Sequence, residues 1–147
     1  AWRPCLCSAR TPTLPLGKGV LAGLDLGNTS EAHLYRAAME GATFSLKYGY
    51  DAFIRAGMSF DRIVLTGGGA NSAAWRQMVA DVFGVPVEVP LQTEGAAFGA
   101  ALQALWSLRR EQGDVVTLPT LVQEHVATDD ALSAQPDPAR AAAYQAP

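Results

Sequence analysis

Arg62-Ile63-Val64-Leu65-Thr66-Gly67-Gly68-Gly69-Ala70 drives a β-branched apolar run straight into three glycines, and Ala73 to Phe83 follows with helical spacing until Gly84. The stretch reads as strand, glycine turn and helix. Downstream, Val85-Pro86-Val87-Glu88-Val89-Pro90 reads as a second strand, placed near a sheet edge by its prolines. Thr93-Glu94 then opens a helix from Gly95 to about Arg110.

Working upstream, Gly19-Val20-Leu21-Ala22-Gly23-Leu24 is a short apolar run bracketed by glycines, expected as a buried strand. Asn28, Thr29 and Ser30 offer N-cap side chains, and Glu31 puts negative charge in the first turn of the next helix. In that helix Leu34, Ala37, Ala38, Gly41, Ser45, Tyr48, Ala52, Phe53 and Ala56 recur every three or four residues as one stripe, and Gly57 supplies the stop. The order β-α-β-α-β-α predicts a layered α/β domain. Residues 1–18 read as loop, 19–112 as the domain core and 113–147 as an extension. In that extension Val115 to Val126 is expected to form a strand and a turn, and Pro138 to Gln145 a short helix.

The composition excludes several function classes. The chain has 147 residues, 49% hydrophobic and 17% charged, enough apolar material for one core. Its net charge is −3 and its eleven Lys and Arg are scattered, so no basic stripe offers binding to nucleic acid. No apolar run approaches the roughly 20 residues that span a bilayer, and no signal-peptide pattern opens the chain. A cytoplasmic setting is therefore expected. Cys5 and Cys7 are too close for an ordinary disulfide and too few for a zinc site, and are read as free thiols. His33 and His125 stand in unrelated settings; His33, near a helix start, reads as structural, and no metal cluster or serine–histidine–acid arrangement is visible.

Two motifs carry chemistry. Gly67-Gly68-Gly69-Ala70 lets backbone amides approach a flat or anionic ligand, although a triple glycine also serves as a plain tight turn. It matches neither the Walker nor the Rossmann glycine pattern. Gly95-Ala96-Ala97-Phe98-Gly99-Ala100-Ala101 brings a helix close to a neighbouring backbone, or walls a pocket. Asp25-Leu26-Gly27-Asn28-Thr29-Ser30 looks like the first phosphate loop of actin-like ATPases. That loop joins two strands, whereas a long helix follows here, so the match is read as coincidental.

The run Gly19-x-Leu21-x-Gly23-Leu24, then eight residues, then His33-Leu34-x-x-Ala37-Ala38-Met39-Glu40 resembles the C-terminal signature of the FGGY carbohydrate kinase family. Glu40-Gly41-x-x-Phe44, Thr66-Gly67-Gly68-Gly69-Ala70-x-Ser72-x-x-Trp75-Arg76-Gln77, Val87-x-x-Pro90 and Glu94-Gly95-Ala96-Ala97-x-Gly99-Ala100-Ala101 resemble its xylulokinase branch. The likeness runs from about Arg10 to Tyr144. It departs at Ser8-Ala9-Arg10-Thr11-Pro12, where the family has Gly-Glu-Arg-Thr-Pro, a mismatch expected from an altered reading frame or a misassigned start.

The resemblance implies an RNase H-like, actin-like α/β fold: the C-terminal domain of a two-domain sugar kinase, with MgATP and sugar between this domain and an N-terminal one. It implies ATP and Mg2+ as cofactors and Gly67, Gly68, Gly69, Ala70 and Ser72 as nucleotide contacts, the turn bordering adenine and ribose. The aspartate acting as general base belongs to the N-terminal domain, and no residue here matches it. The chain is therefore expected to be inactive alone and, with its partner-facing surface bare, to self-associate as dimers. The implied reaction converts D-xylulose to D-xylulose 5-phosphate. Gluconate, ribulose or glycerol remains open as the substrate, as does a noncatalytic interaction module.

Overall fold

The computed structural model describes Leu16, residues 20–92 and residues 94–145; Cys5, Cys7, Gly19 and Thr93 lie outside the described residues. Its elements are α1 (Glu31–Arg55), β1 (Ile63–Val64), α2 (Ala73–Phe83), β2 (Val87–Glu88), α3 (Gly95–Glu111), α4 (Leu118–His125) and α5 (Pro138–Gln145). Two compact units result: one comprises Ala1–Phe60, Asp81–Gly84 and Asp137–Pro147, the other Asp61–Ala80 and Val85–Pro136.

In the first unit the capping signals hold. The Ser30 side chain accepts from the His33 backbone N–H and lies 2.7 Å from His33 Nδ1, so His33 is part of the cap. At the other end Gly57 takes φ +88°, and Gly57 and Met58 donate back to the Ile54 and Phe53 carbonyls. This is the left-handed turn for which glycine has no Cβ penalty.

The expected α1 stripe is only partly buried. Ala37 and Gly41 face inward together with Glu40 and Thr43, whereas Tyr48, Ala52, Phe53 and Ala56 are exposed. The inward line is shifted because polar partners on α5 select it. Tyr144 Oη donates to Glu40 Oε1 at 2.8 Å and accepts from Arg36 Nη2 at 2.9 Å, while Arg36 Nε donates to the same Glu40 oxygen. Alanine-rich α5 is held at its start by Asp81, a carboxylate only 2% exposed, which accepts from Asp137 N–H at 2.8 Å and Arg140 Nε at 2.6 Å. Pairing of this kind makes a buried charge tolerable. Asp137 in turn caps α5, its side chain accepting from Arg140 N–H at 3.0 Å.

The expected strand at 19–24 is absent: residues 20–25 form no ladder, Val20 and Leu24 are exposed, and Gly23 bends the chain with φ +79°. An apolar run becomes a strand only where an edge accepts it. The next segment closes on itself, since Asp25 N–H donates to Asn28 Oδ1, Gly27 N–H to Asp25 Oδ1 and Asn28 Nδ2 to Gly23 O. It then enters α1 at Glu31, where a strand-joining loop would enter a second strand.

The second unit is built on β1 and β2, paired in parallel with Ile63 opposite Val87 and Val64 opposite Glu88. In this two-stranded sheet β2 stands at the edge, as its prolines lead one to expect, and the chain returns along its outer side. On the side away from β1, Val87 exchanges both backbone bonds with Ala134, Asp129 N–H donates to Val89 O, and Leu91 N–H donates to Ala127 O. Pro86 and Pro90 flank the strand, and the Pro86 carbonyl still accepts from Ile63 N–H at 2.8 Å. The ladder therefore loses no donor that it needs.

The strand and turn expected at Val115–Val126 are also corrected, because Leu118–His125 is helical. Thr117 caps it by accepting from Thr120 N–H, Pro119 sits in the first turn, and Leu121 is fully buried. Helix α4 packs on α3, and Trp106 Nε1 donates to Val116 O at 3.0 Å. Buried Met78, Val79, Val87, Val89, Leu102 and Leu121 supply apolar burial in this unit. No helix among the described residues is long and apolar enough to cross a membrane.

Candidate functional site

Parallel strands align their carboxyl ends, and open α/β sheets take ligands just beyond those ends. Thr66–Gly67 leaves β1 there and Val89–Gln92 leaves β2. Together with Ala70, Asn71, Asp129 and Leu132 they border an open depression of about 370 Å³, part of it open solvent.

The five sequence-predicted contacts separate in this geometry. Gly67 and Ala70 border the depression; Gly68, Gly69 and Ser72 do not. Gly67 turns the chain with φ +82°, a conformation suited to glycine. Residues Gly68–Asn71 then wind as one 3-10 turn. Gly68 has open space where a Cβ would stand, so the backbone is bare to an approaching ligand. Gly69 is required for packing, since a Cβ there would collide with Cε3 and Cζ3 of Trp75. Ala70 is buried and its carbonyl accepts from Arg76 Nη1 at 2.7 Å, which fixes the turn onto α2. Ser72 caps α2, its hydroxyl accepting from Trp75 N–H at 3.3 Å and its carbonyl from Arg76 N–H at 2.9 Å.

The small-residue run on α3 serves one close approach. A Cβ at Gly95 would meet Thr66 Oγ1 at 2.8 Å, so this glycine lets α3 start against the end of β1. Ala96, Ala97, Gly99, Ala100 and Ala101 are exposed, and the close packing expected of them is not made within the described residues.

Asn71, Gln92, Asp129 and Leu132 border the depression without having been singled out from sequence. Asn71 lay inside the glycine motif as an unspecified position. Asp129 reaches the site only because the chain returns along β2, which no local pattern announces. No cluster of three metal-ligating side chains occurs among the described residues.

An α/β domain with a bare glycine turn at the carboxyl ends of parallel strands is a fold-level class, and similarity to known proteins gives the family. The chain belongs to the FGGY family of carbohydrate kinases, matching its C-terminal domain over residues 3–108. It is 46% identical over 104 residues to the xylulose kinase of Haemophilus influenzae, covering 71% of this chain and 21% of that protein. Its fold superposes with a TM-score of 0.74 and 26% identity on ligand-bound xylulose kinase from Lactobacillus acidophilus, covering 88% of this chain and 25% of that one. A structure described as gluconate kinase from the same organism matches with the same TM-score, identity and coverage. The chain thus spans about a fifth to a quarter of these relatives' length.

Proposed function

We propose that this chain is the ATP-holding part of a kinase that transfers the γ-phosphate to a sugar hydroxyl, with D-xylulose as the sugar. The observation that carries the reading is the Gly67–Ala70 turn at the carboxyl end of β1, its backbone bare at Gly68 and its flank open to the depression. An apolar border of Val89, Pro90 and Leu132 suits a nucleoside, and the bare backbone at Gly68 suits the anionic portion. Phosphoryl transfer depends on positioning and on neutralising charge in a closed site. Mg2+ would arrive with the phosphates and supply that neutralisation; the residues of this chain orient the nucleotide.

The base that takes the sugar proton belongs to an N-terminal kinase domain, which the chain needs for turnover. Support comes from α1, where Tyr35, Ala38, Ala42, Leu46, Gly49 and Phe53 form an unbroken exposed apolar line. Gluconate is the second substrate reading, favoured by the equal match to the structure described as gluconate kinase.

Calorimetric titration of the chain with ATP tests the nucleotide reading, with Asn71→Trp as the variant that fills the depression from an exposed position. Saturable binding abolished by Asn71→Trp is expected. No binding, or binding untouched by the variant, overturns the reading.

A further inference from the structure

Within the depression the polar groups are unequal. Asp129 is fixed by its backbone, its N–H donating to Val89 O at 2.8 Å, and by its own turn, Oδ1 accepting from Ala131 N–H at 2.9 Å. Its Oδ2 has no hydrogen-bond partner among the described residues, and neither do the amides of Asn71 and Gln92. An ionised carboxylate is acceptor-only. It repels phosphate and accepts only from a donor-bearing part of a nucleotide, whereas the two amides, each both donor and acceptor, suit the mixed edge of a base.

From this division we infer that Asp129 is a specificity-determining residue that accepts the ribose hydroxyls of the bound nucleotide. The inference rests on the proposed nucleotide reading of the same site. The carboxylate orients the ligand, with the phosphates away from Asp129 and the ribose diol toward it. The return of the chain along β2 thereby acquires a role in telling ribonucleotides from deoxyribonucleotides.

Asp129→Asn keeps an acceptor for Ala131 N–H and removes the charge; a melting curve matching the parent establishes that it folds. ATP, 2′-deoxy-ATP and inosine triphosphate are titrated into the parent and the variant. Saturation-transfer NMR on ATP records which protons lie against the protein. The parent is expected to prefer ATP over 2′-deoxy-ATP by about tenfold, the scale of one hydrogen bond to a charged group. Asp129→Asn should bring that preference below about twofold, with weaker transfer to the ribose protons. An unchanged preference in the variant, or a loss that instead follows inosine triphosphate, overturns the ribose assignment and leaves nucleotide binding standing. Absence of ATP binding by the parent overturns the nucleotide reading, and this inference with it.

Discussion

Three adjacent glycines do three different things. Gly67 is present for its positive φ, Gly68 for its bare backbone and Gly69 for the ring of Trp75 that occupies the place of its side chain. The sequence marked all three as one motif, and their division became visible only when Trp75 folded back over the turn. Gly69→Ala should therefore cost about 1–3 kcal/mol through overpacking, whereas Gly68→Ala should stay within about 0.5 kcal/mol. Urea unfolding midpoints of the two variants check this, and equal costs would refute it. Ser72 was legible as part of the motif but not in its role, because one hydroxyl serves a helix cap and a ligand equally well until its partner, the Trp75 N–H, is seen.

Among the elements, α1, α2, α3 and α5 follow spacing and end signals that the chain carries locally, which is why their limits were readable. Helix α4 replaces the strand and turn expected there because Thr117 and Pro119 start a helix among β-branched residues that locally favour a strand. Helix α5 was anticipated, but its attachment was not: Tyr144 meets Arg36 and Glu40 across more than a hundred residues. Burial raises the Tyr144 phenol above its ordinary range, and the hydrogen bond to Glu40 adds to this. The folded state thus favours the protonated phenol, and this contribution is complete below about pH 10 and lost as pH rises through the raised value. Tyr144→Phe should cost about 1 kcal/mol near neutrality and flatten the alkaline limb of a stability–pH curve measured by urea unfolding. On the acid side the Arg140 backbone N–H holds the Asp137 carboxyl below its ordinary range. Its contribution is present above about pH 4 and lost as pH falls through the lowered value. Asp137→Asn should flatten that limb in the same measurement.

For the whole molecule, the exposed apolar line of α1 should make the isolated chain self-associate. Leu46 and Tyr35 on that line are 56% and 67% exposed, so replacing both with Lys should leave the fold intact. Burying one Leu contributes about 1.5–3 kcal/mol, and the pair should therefore weaken association at least about tenfold in sedimentation velocity. A parent chain monomeric at all concentrations would refute this. By itself the sequence determined the α/β class, the limits of α1, α2, α3 and α5, the family and the glycine turn, because propensity, capping and apolar spacing act over a few residues. Tertiary structure decided which α1 residues face inward, that 20–24 is not a strand, that the chain bridges back along the outer side of β2, and that Asp129 and Gly67 border one depression. Each of these depends on a partner distant in the chain, and no local pattern encodes the identity of such a partner.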